Sequence, residues 1–325
     1  MQFHRRGILK LAAGAAALPA VPRIARAVTY PSHPVHLVVP QAAASSTDIH
    51  ARLIGQWLQD HLGQPFVVDV KPGAGGNVGT EFVVHATPDG YTLLTVNSQN
   101  AISPALYPEL TFNFLKDIAP ISQISIAPMI MEVNPSLPVN TVPEFIAYAK
   151  ANPGKVNFAS AGAGSANHIS QEMFKMMTGV DMVHVPFNGG APAMLAVVSG
   201  QVQAMFADTL TAGEQVKAGT VRVIGVATPQ RLPLLPDVPS IADTVPGFNA
   251  SSWWGIGAPQ GISGDIVKKL NAETNAALAD PTIQKRFAAM GALPLGGTPD
   301  DFRDLIADET EKWGKVIKFA GISAG

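Results

Sequence analysis

Hydroxyl groups, glycines and a histidine stand together where a short apolar strand passes into a helix. Residues 156–159 form the predicted strand, and Ser160, Ser165 and His168 follow within nine positions. Apolar residues then recur at helical spacing, with Ser165 or Asn167 as the N-cap. A glycine turn entering a helix leaves N–H groups unpaired at the positive end of the helix dipole, which suits an anion. Taken alone, the segment fits an anion site and a purely structural turn equally well.

Nucleophilic catalysis is a weaker interpretation of the same residues. Ser165 lacks the G-x-S-x-G nucleophile elbow, because Ala163 and Asn167 stand at the two glycine positions. His168 would share a helix with Ser165, which is unfavourable for a general base. The chain has no cysteine, no P-loop and no H-E-x-x-H motif. We therefore expect a binding protein without catalytic residues, cofactor or metal, although an exported hydrolase stays an alternative.

Two further segments repeat the order strand, small-residue loop, helix. The first follows the strand at 35–40, with Ser45, Ser46 or Thr47 as the predicted cap of the next helix. Asp48 falls in the first turn of that helix, where a carboxylate fits the dipole as well as it fits a ligand. The other follows the strand at 183–187. Three similar loops favour a shared cleft.

Polar residues also end two other predicted strands. Asn97 follows the strand at 91–96, and Asp208 follows the strand at 202–207. Ligands of open α/β sheets bind outside the carboxyl ends of the strands. The glycines of 71–80 do not have dinucleotide-fingerprint spacing, so we expect a structural turn into a helix at 80–86.

Strand–turn–helix units fall into two blocks joined by two extended crossings, at 121–133 and 253–259. This order predicts an α/β protein with two lobes around a cleft. We expect lobe one at 28–126 plus 256–325, and lobe two at 127–255.

The N-terminus has the pattern of an export signal. Arg5-Arg6 precedes an apolar run at 11–21, and Ala25-Arg26-Ala27 offers a cleavage site, so residues 1–27 are a predicted twin-arginine signal peptide. Its removal leaves 17 basic residues against 24 acidic ones, a net charge near −7. Nucleic acid and anionic membrane surfaces are therefore not expected partners.

Ordered motifs along the mature chain resemble the tripartite tricarboxylate transporter substrate-binding proteins, also called the Bug or TctC family. They include P-Q-A-A-A-S-S-T-D, K-P-G-A-G-G-N-V-G-T, S-A-G-A-G-S-A-N-H, V-P-F-N-G-G-A-P-A-M-L and W-W-G-I-G-A-P-Q-G. The resemblance implies a two-lobed fold of the type II periplasmic binding proteins. It also implies a periplasmic monomer that delivers a small carboxylate to membrane transporter subunits, although a ligand sensor for a signalling partner is an alternative.

Carried over onto this sequence, the resemblance implies a ligand site built from both lobes. The expected ligand-binding residues are Ala43, Ser45, Ser46, Thr47, Asp48, Asn97, Ser160, Gly164, Ser165, His168, Asn188, Gly189, Gly190 and Asp208. The family's first loop is glycine-rich before its Thr-Asp, whereas this chain has Ala44-Ser45-Ser46. That departure bears on how a carboxylate sits in lobe one.

Overall fold

The computed structural model describes residues 30–323, so the signal peptide predicted for residues 1–27 lies outside the described residues. None of the helices within 30–323 is long and apolar enough to cross a bilayer. The described strands form one continuous sheet, in the order Phe66–Val70, Val35–Val39, Thr92–Asn97, Ser251–Pro259, Ile118–Val133, Ala204–Asp208, Val156–Ser160 and Met182–Pro186. Two further strands, Arg222–Val226 and Leu293–Pro294, pair with Ile118–Val133. The two lobes share this sheet.

The first lobe begins with three parallel strands and their crossover helices. The strands Val35–Val39 and Thr92–Asn97 are almost wholly buried, which explains their largely apolar sequences, whereas Phe66–Val70 at the sheet edge is only partly buried. The elements are β1 (Val35–Val39), α1 (Ser46–Leu62), β2 (Phe66–Val70), a 3-10 turn (Ala74–Gly76), α2 (Asn77–Val84), β3 (Thr92–Asn97), α3 (Ser98–Leu106) and α4 (Phe114–Asp117).

The helix predicted at 80–86 begins earlier, at Asn77, and that prediction was wrong in its bounds. Gly76 has φ 96°, a left-handed conformation that turns the chain directly into α2. The sequence pattern had placed the glycines in a longer turn.

One long strand, β4 (Ile118–Val133), runs through both lobes. Its first part pairs with β9 (Ser251–Pro259) up to the Pro128–Ser251 pair. From Met129 onward it pairs with β7 (Ala204–Asp208). The predicted extended crossing is thus a strand of the sheet, and β9 carries the chain back.

The second lobe repeats the parallel strand–helix order. Its elements are α5 (Val142–Ala151), β5 (Val156–Ser160), α6 (Ala166–Thr178), β6 (Met182–Pro186), α7 (Gly190–Val198), β7, α8 (Thr209–Lys217) and β8 (Arg222–Val226). Strands β7, β5 and β6 are parallel neighbours, so the loops that follow them lie at one edge.

The remaining elements are α9 (Gly264–Ala279), α10 (Pro281–Ala289), β10 (Leu293–Pro294) and α11 (Pro299–Ala320). Phe302 and Ile306 of α11 pack in a lobe-one cluster. Trp313 and Val316, further along the same helix, pack with residues of lobe two. The lobe bounds at 127 and 255 stay a prediction, and α11 packs against both sides of that division.

Candidate ligand-binding cleft

Three loops of the first lobe meet at the carboxyl end of its parallel strands. They follow β1, β2 and β3, which are neighbours in the sheet. Together with the start of β9 they surround a cavity of about 390 Å³. No charged side chain lines it; the lining residues are Pro40, Gln41, Ala42, Thr47, Pro72, Gly73, Gly75, Gly76, Asn97, Ser98, Gln99, Ser252 and Trp254.

The hydroxyl of Thr47 is the best-defined polar group in this cavity. Its oxygen accepts a hydrogen bond from Asn97 Nδ2 at 3.0 Å and another from Trp254 Nε1 at 3.1 Å. A hydroxyl has two acceptor sites and one hydrogen. Both acceptor sites are therefore occupied, and the hydrogen remains to be donated.

Asn97 connects the first loop to the end of β3. Its Oδ1 accepts from the Gln99 N–H at 2.9 Å, which caps α3. Because a backbone N–H can only donate, this bond fixes the orientation of the amide. Its Nδ2 donates to Thr47 and to Gln41 Oε1, the latter at 2.6 Å.

The ring of Trp254 packs against a buried histidine. His50 stacks on its indole ring with centroids 4.2 Å apart. Nδ1 of His50 donates to the Ser46 carbonyl at 2.6 Å, and Nε2 accepts from the Ser125 hydroxyl at 2.8 Å. Burial lowers the pKa of His50 to about 4, against the opposing effect of the Ser46 bond. This ring is neutral at pH 7 and supports the cavity wall.

Asp48 closes the first loop on itself. Its carboxylate accepts from the Ala44 N–H at 2.8 Å and pairs with Arg52 Nε at 2.9 Å. Burial acts to raise the pKa of Asp48, but the bonds from Arg52 and Ala44 outweigh it and hold the pKa below its ordinary value. Ala44 has φ 61°, a strained conformation for a residue with a Cβ. A glycine would adopt it freely.

The start of α1 supplies backbone donors beside this loop. Ser45 is the N-cap, and its hydroxyl accepts from the Asp48 N–H at 3.3 Å. The first backbone bond along the helix is donated by Ile49 to Ser45. Hence the N–H groups of Ser46 and Thr47 have no partner within the helix. Ala43 is exposed on the same loop.

The second loop, in lobe two, is held by its own hydroxyl groups. Ser165 is the N-cap of α6, where its hydroxyl donates to the Gly162 carbonyl at 2.7 Å and accepts from the His168 N–H at 3.4 Å. Ser160 Oγ lies 2.6 Å from His184 Nε2. In this structure the hydroxyl hydrogen of Ser165 is donated to Gly162 within the loop. Its expected donation to a ligand stays a prediction, because this hydrogen bond would first have to break.

His168 and His184 form a stacked pair beside the second loop, with ring centroids 3.6 Å apart. Nδ1 of His168 accepts from the Gly164 N–H at 3.0 Å, so the ring hydrogen is on Nε2. Burial, then His184 and Lys175, lowers the pKa of His168 to about 3. Burial and Lys175 lower the pKa of His184 to about 4. Both rings are neutral at pH 7.

The third loop, residues 188–190, lies beside the second one. The Phe187 N–H donates to the Ser160 carbonyl at 3.0 Å. Asn188 is exposed, Gly189 and Gly190 are half-buried, and a Cβ on Gly190 would lie 3.4 Å from Thr211. Asp208 caps α8 by accepting from the Thr211 N–H at 2.7 Å.

The two sets of loops approach each other at two places. A Cβ on Gly164 would lie 2.7 Å from Leu106 of α3, and Gly164 has φ 73°, so this contact requires glycine. Asp208 lies with Ser46, His50 and Trp254 around a narrow space between the lobes. Gly164 and Asp208 of lobe two thus lie against lobe one, whereas none of the predicted lobe-two residues lines the lobe-one cavity, and the shared ligand site stays a prediction.

Sequence reasoning did not single out several residues of the lobe-one cavity. Gly75 and Gly76 had been assigned to a structural turn, and Gln41 and Trp254 had no assigned role, yet all four line the cavity. The strand-end rule that selected Asn97 also applies to the loop after β2 and could have found the glycines. No group of three or more potential metal ligands occurs within 30–323.

Comparison with known proteins identifies the family. Residues 50–322 match the model of the tripartite tricarboxylate transporter family receptor. The BugT protein of Bordetella pertussis is 36% identical over 296 residues, which cover 90% of this chain and 91% of that protein. An R. palustris structure with adipate is 34% identical with a TM-score of 0.78, covering 90% of this chain and 99% of that one. MatC of Rhodopseudomonas palustris, solved with bound malate, is 33% identical with a TM-score of 0.74, covering 89% and 100%. The chain therefore belongs to the tripartite tricarboxylate transporter receptor family, a family of two-lobed substrate-binding proteins.

Proposed function

We propose that this protein is exported through its twin-arginine signal and captures a small organic carboxylate in the periplasm. The ligand is held between the lobes at 28–126 plus 256–325 and at 127–255. It is then delivered to the membrane subunits of a tripartite tricarboxylate-type transporter. Similar proteins solved with adipate and malate support a carboxylate as the ligand class.

The observation that carries this proposal is that the Thr47 hydroxyl oxygen accepts two hydrogen bonds from the protein. Asn97 and Trp254 fill both acceptor sites of its oxygen, and its hydrogen has no acceptor within residues 30–323, so the hydrogen is left for a ligand in the cavity. A carboxylate oxygen is such an acceptor, whereas an ammonium group is not. The N–H groups of Ser46 and Thr47, which have no partner within α1, stand at the same helix end, where the dipole favours an anion.

Recognition in this site uses neutral donors rather than cations. The cavity lining carries no charge, and His50, His168 and His184 are neutral at pH 7. Arg52 is engaged by Asp48. A neutral lining binds a carboxylate without the cost of removing a second charged group from water.

The remaining expected ligand contacts come from lobe two. The backbone of Gly164 and Gly189, with the side chains of Ser160 and Ser165, would meet the far end of the ligand on closure. Such a change requires the closed form to bind the ligand more tightly than the open one.

Two other functions are separated from this one by simple observations. A ligand sensor predicts the same binding but a signalling receptor as partner, which neighbouring genes would reveal. A hydrolase predicts product formation that is lost in Ser165→Ala. Whichever function holds, Ser165→Ala also removes an N-cap and should lower the free energy of unfolding by about 1 kcal/mol, with Ser45→Ala as the matched control in lobe one.

A thermal-shift screen of the mature protein tests the proposal. Adipate, malate and citrate are compared with the diamide of adipate and with glucose. A ligand present at 100 times its Kd stabilises the native state by about 2.7 kcal/mol, so at least one carboxylate should raise Tm while the diamide does not. A rise in Tm with glucose and with no carboxylate would contradict the proposal.

A further inference from the structure

The amide of Gln41 is the second polar group whose role is determined by its hydrogen bonds. Its Oε1 accepts from Asn97 Nδ2 at 2.6 Å, and Asn97 is itself oriented by the Gln99 backbone N–H. Rotation of the Gln41 amide by 180° would bring two NH₂ groups together, which is unfavourable. Nε2 of Gln41 is therefore the group left to face the cavity.

The position of this nitrogen places it in the cavity wall. Gln41 and Gly76 both line the cavity, and a Cβ on Gly76 would lie 2.8 Å from Gln41 Nε2. The nitrogen thus occupies the space beside a glycine in the loop after β2. Within residues 30–323 it donates no hydrogen bond in this structure, so both of its hydrogens are available to a ligand.

Asn97 therefore determines the polarity of two neighbours at once. By donating to Thr47 and Gln41 it occupies an acceptor on each side chain and leaves a donor on each. Asn97 has no further side-chain hydrogen to offer, since both hydrogens of Nδ2 are used. The result is a pair of outward donors without any positive charge.

We propose that Gln41 is a ligand-binding residue that donates to a carboxylate oxygen, and that Asn97 is the positioning residue that makes Gln41 and Thr47 donors. This inference rests on the proposed function of the same cavity and extends it to selectivity. The two donors favour a ligand end that only accepts hydrogen bonds. A primary amide, which presents its own N–H groups, is disfavoured at that end.

Three variants test the proposed roles of Gln41 and Asn97. Gln41→Leu keeps the size of the side chain and removes its amide. Asn97→Ser keeps an oxygen that caps α3 by accepting from the Gln99 N–H, and removes the NH₂ group that orients the neighbours. The third is the double variant. Affinities for adipate and for its half-amide are measured by titration calorimetry, with Tm as the control for folding.

We expect Gln41→Leu to bind adipate about tenfold or more weakly, and to lose part of the preference for adipate over the half-amide. Asn97→Ser should show a similar loss. The double variant should lose little more than Asn97→Ser alone, because Gln41 no longer has a fixed orientation there.

Each contrary result has a distinct meaning. If Gln41→Leu binds adipate within twofold of the unchanged protein, Gln41 does not contact the ligand and the inference is wrong. If the two losses multiply in the double variant, Asn97 does not act through Gln41. If the unchanged protein binds none of adipate, malate or citrate, the proposed function fails as well.

Discussion

Thr47→Val should weaken carboxylate binding by about 10- to 100-fold, because a hydrogen bond to a charged group contributes about 1.5–3 kcal/mol. Valine has the shape of threonine without the hydroxyl. It removes the hydrogen that faces the cavity, and it leaves Asn97 Nδ2 and Trp254 Nε1 without their acceptor. Calorimetric titration of adipate or malate measures the loss directly.

Thr47→Ser is the matched control, since it keeps the hydroxyl and removes only a methyl group. Its affinity should stay within a few-fold of the unchanged protein. Because Thr47→Val also leaves two donors unpaired, its Tm should fall, and the titration has to be made well below that temperature. Equal affinities for the valine and serine variants would show that the Thr47 hydroxyl does not contact the ligand.

The second large effect concerns stability and arises at Glu132, outside the cleft. This residue lies in β4 between Met205 and Val223, is 0% exposed, and has no hydrogen-bond partner for either carboxyl oxygen within 30–323. Met205 belongs to the apolar cluster under α7 and α8, and the partly buried Val223 packs against that cluster. Burial, then the charge of Asp208, raises the pKa of Glu132 from 4.5 to about 8.

Among the described residues, the cations on the elements around Glu132 have other partners. Helix α7 has no titratable residue. On α8, Glu214 and Lys217 pair with each other at the surface. On β8, Arg222 donates to the carbonyls of Leu137 and Val139. Glu132 is therefore protonated in the folded protein at neutral pH.

The protonation of Glu132 determines whether the free energy of unfolding rises or falls with pH. Below pH 4.5 both the folded and the unfolded chain hold it. Between 4.5 and 8 the folded protein keeps it while the unfolded chain releases it, so stability falls as pH rises. The slope is about 1.4 kcal/mol per pH unit, and the total over this window is on the order of several kcal/mol.

Glu132→Leu should therefore raise the free energy of unfolding at pH 8 by several kcal/mol and abolish this part of the slope. Glu132→Gln should abolish the slope while keeping a buried polar group, so its stabilisation is smaller. Urea denaturation between pH 5 and 8.5 measures both quantities. Glu214→Gln, a surface change, should leave the slope unaltered. Parallel pH curves for the unchanged protein and Glu132→Leu would show that Glu132 is not the buried acid we describe.

Local signals in the sequence predicted the loops well. Ser45 and Ser165 cap their helices, and both were among the predicted caps. Capping depends on residues two or three positions apart, so the sequence contains the whole signal. The strand ends at Asn97 and Asp208 follow from an equally local pattern.

Contacts between distant residues were beyond such reasoning. Thr47 and Trp254 are 207 positions apart, and Gln41 meets Asn97 across 56. Only the register of β3 against β9 and the order of the parallel strands bring them together. The burial of Glu132 without a partner could not be predicted for another reason. A single acid in an apolar strand gives no sign of which face it occupies or what surrounds it.

Titration calorimetry of the mature protein with carboxylates tests the central claim most directly. We predict that at least one of adipate, malate and citrate binds with a stoichiometry of one per chain, and that it is recovered chemically unchanged afterwards. Failure of all three to bind, while a sugar or a cation does, would contradict the account, as would recovery of the acid as a reaction product.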